Sequence, residues 1–101
     1  MERSKITVVE NKDVCFQLEY YLLKSGKESC GIEAVKKCSG EILEEKTVFL
    51  EDSDAEDAYR WITRLAESFV TPVVLEEILR EVIILDYMEG LQTKKVFPLC
   101  S

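Results

Sequence analysis

The chain has 101 residues, 20 of them acidic and 13 basic, with no histidine, a net charge of −7 and 47% hydrophobic residues. That is one domain of ordinary size with enough apolar material for a core, which excludes intrinsic disorder. No apolar run approaches the roughly 18 residues that cross a bilayer, and there is no basic surplus to meet a phosphate backbone, so neither membrane nor nucleic acid is an expected partner.

The opening MERSKITVVENKD scatters its charges and has no apolar segment of the signal-peptide kind, which reads as a cytoplasmic protein. Within it KITVVE, about residues 5–10, is short and β-branched and stops at the turn signal NKD. VCFQLEYYLLK, about 14–24, alternates. Phe16, Leu18, Tyr20 and Leu22 share one face, and Cys15, Gln17, Glu19 and Tyr21 the other. Ser25-Gly26 supplies a tight turn, since glycine takes positive φ without steric cost. ESCGIEAVKKC, about 28–38, alternates again, with Cys30, Ile32 and Ala34 on one face. Gly31 within it marks a bulge or a close backbone approach. Ser39-Gly40 repeats the turn chemistry before EILEEKTVFLE, about 41–51. Four such strands predict an antiparallel meander with one greasy and one wet face.

The period then changes from two to 3.6. Over about 53–69, Ala55, Ala58, Tyr59, Ile62, Leu65, Ala66 and Phe69 fall on one helical stripe, with Trp61 at its edge. Ser53 and Glu56 have the spacing of a capping box. Thr71-Pro72 restarts the chain as N-cap and first helical residue. The second helix, about 72–88, is expected to bury Val74, Leu75, Ile78, Leu79, Val82, Ile83 and Leu85, and to end at Gly90. The tail 91–101 is polar and then apolar, which suits a short fifth strand or an arm laid on a partner chain. The predicted architecture is α+β, a single domain over 1–101: a four-stranded antiparallel meander with two helices on its greasy face.

Segment 41–57 carries the whole net charge, with eight acids and one base, while the other 84 residues balance. Its densest part, EDSDAED at 51–57, has the alternating acids of a calcium loop, yet Asp57 and Thr63 stand where that loop needs Gly and Glu. Two readings remain. Acids in a first helical turn are stabilised by the helix macrodipole, here with Arg3, Lys5, Lys24 and Lys27 brought to the same end of the sheet to screen them. Alternatively, Asp54, Glu56 and Asp57 form a docking strip for a protein partner with a basic surface.

Catalysis is not expected. Without histidine there is no Cys–His or Ser–His pair, and no glycine-rich phosphate cradle occurs. The cysteines at 15, 30, 38 and 100 form no C-x-x-C pair and suggest no metal; no cofactor is implied. Asp86, inside the apolar arc of the second helix, is either an acid–base group with a perturbed pKa or a carboxylate that reaches a polar partner. Tyr21 and Trp61 are contact residues or packing residues. Ile84 and Met88 lie off the apolar arc and, with Phe97 of the tail, make an apolar surface too large for a comfortable monomer.

LEYYLLK…CGIEAVKK, the acidic helix start and V-T-P-x-x-L-E-E-I-L together resemble a family of short bacterial proteins of unknown function over roughly 17–84. Gly31-Ile32, Asp52 to Asp57, and Thr71-Pro72 with Leu75 carry the resemblance; Cys30 stands where an aromatic residue is expected. The resemblance implies one domain and a bacterial cytoplasm, and no activity. The expected function is a non-catalytic protein-interaction module that forms a homodimer. The alternative is a small-ligand-binding domain with a pocket between sheet and helices around Tyr20 or Tyr21 and Trp61.

Overall fold

A computed structural model describes residues 1–11, 13–26, 29–50 and 53–89, and over 90–100 the backbone alone. Its elements are β1 (Glu2–Glu10), β2 (Gln17–Ser25), β3 (Ser29–Cys38), β4 (Glu41–Leu50), α1 (Ala55–Glu67), one turn of 3-10 helix (Pro72–Val74) and α2 (Leu75–Cys100). The strands pair in the order β1-β2-β3-β4, each antiparallel to the next, so the sheet is the predicted meander and the class α+β.

Local chemistry sets the boundaries. Ser39 and Gly40, at φ 52° and 84°, sit between the paired residues Cys38 and Glu41 as a two-residue hairpin loop. Positive φ at both positions gives the twist that antiparallel neighbours need. β2 starts at Gln17 rather than near 14 because Asn11 forms a turn: its side chain accepts from the Asp13 N–H at 2.9 Å and its carbonyl from Val14 at 3.2 Å. Gly31 is a close approach, as a Cβ there would lie 3.0 Å from the Val48 carbonyl oxygen and 3.1 Å from the Phe49 ring.

Leu18, Tyr20, Leu22, Cys30, Ile32 and Ala34 of the sheet meet Ala58, Trp61, Ile62 and Leu65 of α1 and Leu75 and Leu79 of α2. Burying each larger side chain contributes about 1.5–3 kcal/mol. The stripe of α1 is turned from the predicted one, with Trp61 buried and Tyr59 exposed. The reason is α2, which packs along the Trp61 side of α1 and makes that flank interior.

α1 begins one residue later than the capping-box spacing predicts. Asp54 is the N-cap, its carboxylate accepting from the Asp57 N–H at 2.9 Å, while the Ser53 carbonyl accepts from the Cys30 thiol at 3.2 Å. The helix ends in a left-handed residue, Phe69 at φ 53°, with Phe69 N–H donating to Ala66 and Val70 N–H to Leu65, each at 3.1 Å. This is the pairing that closes helix ends where glycine is usual. Phe69 is held there by packing on Phe16, ring centroids 5.5 Å apart, and by the Tyr20 hydroxyl, which donates to the Val70 carbonyl at 2.6 Å.

α2 does not end at Gly90. Its backbone continues to Cys100, where a strand or arm was expected. Val74 and Leu85, predicted to be buried, are exposed. Only the first turns of α2 lie over the sheet, so apolar residues beyond Ile83 lack a floor to pack on.

Candidate interaction surface

Asp86 resolves the oddity of a carboxylate in an apolar arc. It accepts from the Trp61 indole N–H at 3.0 Å and from Arg60 at 2.7 and 3.2 Å. Arg60 also reaches Asp57 at 2.8 Å, and one turn on Arg64 pairs with Glu89 at 2.8 Å. The Arg60 and Trp61 hydrogen bonds hold the Asp86 carboxyl below its ordinary range. It is therefore an anion stapling α2 to α1, and a poor proton donor at neutral pH. Trp61, only 6% exposed, presents its indole to this staple rather than to solvent.

The acidic run is divided among several tasks. Asp54 caps α1 and Asp57 binds Arg60, whereas Glu56 is exposed in the first turn. Glu51 and Asp52 lie outside the described residues. Of the cations expected to screen the run, Arg3 pairs with Glu33 at 2.6 Å and Lys5 with Glu19 at 3.5 Å, both on the sheet face away from the helices, and Lys27 lies outside the described residues.

That face is ordered around a buried carboxylate. Glu19 accepts from Tyr21 at 2.5 Å and from Gln17 at 3.1 Å, with Lys37 at 3.2 Å. Burial alone would raise its pKa, but the Tyr21 and Lys37 hydrogen bonds and the Lys37 and Lys5 charges outweigh it and bring the value down. The Arg3 guanidinium lies 3.6 Å over the Tyr21 ring, so this outward tyrosine is a covered packing residue.

Ile84, Leu85, Tyr87 and Met88 are between 50% and 68% exposed. At helical spacing Asp86 faces α1, Ile84 and Met88 lie on the opposite side, and Leu85 and Tyr87 flank them. Leu85 and Tyr87 are the members that sequence reasoning did not assign to this surface, because a periodic arc says which residues share a side but not how far the floor beneath it extends. Phe97 lies outside the residues whose side chains are described.

Surface grooves run between β4 and the start of α2, between β1 and α1, and beside the β1–β2 connection, and none of the three is lined by Tyr20, Tyr21 or Trp61. Between sheet and helices, where the alternative reading puts a ligand pocket, Leu18, Tyr20, Ile32, Ile62 and Leu65 are fully buried against one another. Among the described residues no group of three Cys, Asp or Glu side chains is placed to hold a metal, and no helix is long and apolar enough to cross a membrane. No family model, curated protein or solved structure matches this chain.

Proposed function

We propose that this chain is a non-catalytic protein-interaction domain that pairs with a second copy of itself through the outer side of α2. The supporting observation is the change of character along that helix. Its outer side begins with Glu77, Arg80 and Glu81 and continues with Ile84, Tyr87 and Met88, all exposed. A charged surface that turns apolar just where the helix leaves its own core fits a helix buried against another chain.

A second copy is the partner because the charges are self-complementary. Glu76, Glu77 and Glu81 lie toward one end of α2, and Lys94 and Lys95 toward the other. Two antiparallel copies centred near Asp86 set Ile84 against Met88 of the partner helix, and in the same register position 77 meets position 95. One twofold arrangement aligns the apolar positions and sets the acidic end of each helix beside the far end of its partner, as an isologous interface requires. A cytoplasmic setting and kinship with the short bacterial proteins the chain resembles belong to the same reading.

The test is the double variant Ile84→Asp, Met88→Asp, examined by light scattering and far-ultraviolet circular dichroism. The proposal expects a monomer with an unchanged spectrum. A dimer that persists in the double variant removes α2 from the interface.

A further inference from the structure

The sheet leaves β4 as an edge: β3 is its neighbour on one side, and no strand lies on the other among the described residues. Alongside that edge, β4 and the start of α2 flank an open groove lined by Glu44, Glu45, Lys46, Val73, Glu76 and Glu77, with Pro72 beside them. Val73, 73% exposed, is an apolar contact at its rim. Lys46 is partly neutralised by Glu76 at 3.9 Å, and Glu44 by Lys36 at 3.6 Å. Glu45 and Glu77 make no ion pair within the described residues.

Charges on an edge strand commonly serve to block further pairing. Here they are nearly all of one sign, which makes the block selective. Two β4 strands laid side by side in parallel register would bring Glu41, Glu44 and Glu45 against their own copies, an antiparallel pair centred at position 43 would set Glu41 against Glu45, and like charges in cross-strand positions are destabilising. A segment carrying lysine or arginine meets attraction instead. The two faces of β4 differ as well. Glu44 and Lys46 point toward α2, whereas Thr47 and the exposed Phe49 lie on the open face with Glu45.

We infer that the β4 edge and its groove bind an extended basic segment of another protein by strand addition. Alternate basic side chains enter the Glu44–Glu76–Glu77 groove, and the intervening apolar side chains lie beside Phe49. Main-chain hydrogen bonds to β4 supply affinity, and the two faces supply selectivity. The groove shares Glu76 and Glu77 with the charged end of the proposed α2 interface, but β4, which supplies the ladder, lies outside that interface, so binding is expected with or without the dimer.

The probe is a fluorescein-labelled peptide of alternating lysine and valine, titrated by anisotropy into the protein and into its Ile84→Asp, Met88→Asp variant, with amide shifts followed by NMR. Saturable binding to both proteins is expected, with the largest shifts at Glu44–Phe49. Glu76→Lys with Glu77→Lys, both exposed, should weaken binding about tenfold or more, as reversing charges against a basic ligand does. The same peptide with a central proline should not bind, because it cannot complete the ladder. Equal binding of the proline peptide, indifference to the charge reversals, or no binding at millimolar peptide overturns the inference.

Discussion

The indole N–H of Trp61 donates to the Asp86 carboxylate at 3.0 Å, and Arg60 holds the same carboxylate at 2.7 Å, so one side chain of α2 fixes two of α1. Asp86→Ala leaves a buried indole without its acceptor and should cost about 1–2 kcal/mol. Denaturant unfolding followed by Trp61 fluorescence measures it. Asp86→Asn, which keeps an acceptor for the indole, should cost less. Equal losses in the two variants would mean that the Arg60 pairing alone matters.

The same carboxylate predicts acid sensitivity. The folded pKa of Asp86 is depressed, so its contribution is complete above the ordinary aspartate value of about 3.9 and disappears as pH falls through the lower folded value. Glu19, also depressed, acts in the same direction. Stability of the parent chain measured from pH 6 downward should therefore fall more steeply than that of Asp86→Asn, and the two curves should converge in acid.

Tyr20→Phe removes the hydroxyl that donates to Val70 at 2.6 Å and leaves a buried carbonyl unsatisfied. The expected loss is about 1–3 kcal/mol, seen as a lower denaturant midpoint at constant slope. Burial pushes the Tyr20 phenol well up, so its contribution holds below the ordinary tyrosine value of about 10 and is lost as pH rises above it. Tyr20→Phe should be less sensitive to alkali than the parent.

Ser39, at φ 52°, is a non-glycine residue in left-handed backbone. Ser39→Asn gives the hairpin the Asn-Gly pair that such loops favour and should stabilise by about 0.5 kcal/mol, since asparagine tolerates this conformation better. Thermal unfolding would register it as a higher midpoint. A lower midpoint would show that the serine is not strained there.

The meander was legible because strict alternation in β2 and β3, bracketed by Ser-Gly turns, has only one economical pairing. The helix start at Asp54 was legible to within a residue, since capping depends on a few adjacent side chains, whereas Thr71 precedes a 3-10 turn over Pro72–Val74 and its side chain makes no capping hydrogen bond. What the local pattern did not contain was the contact between the two helices. Trp61 and Tyr59 sit on opposite flanks of one apolar stripe, and which is buried depends on where α2 lies. Asp86 looked misplaced for the same reason, its partners being 25 and 26 positions away. The run past Gly90 was missed because glycine is a common helix end but not an obligatory one.

Sedimentation equilibrium of the native chain, at several concentrations up to tens of micromolar, tests self-association most directly. Pairing through α2 predicts a mass approaching twice 11.6 kDa that declines on dilution. A single species at 11.6 kDa across the whole range would contradict it.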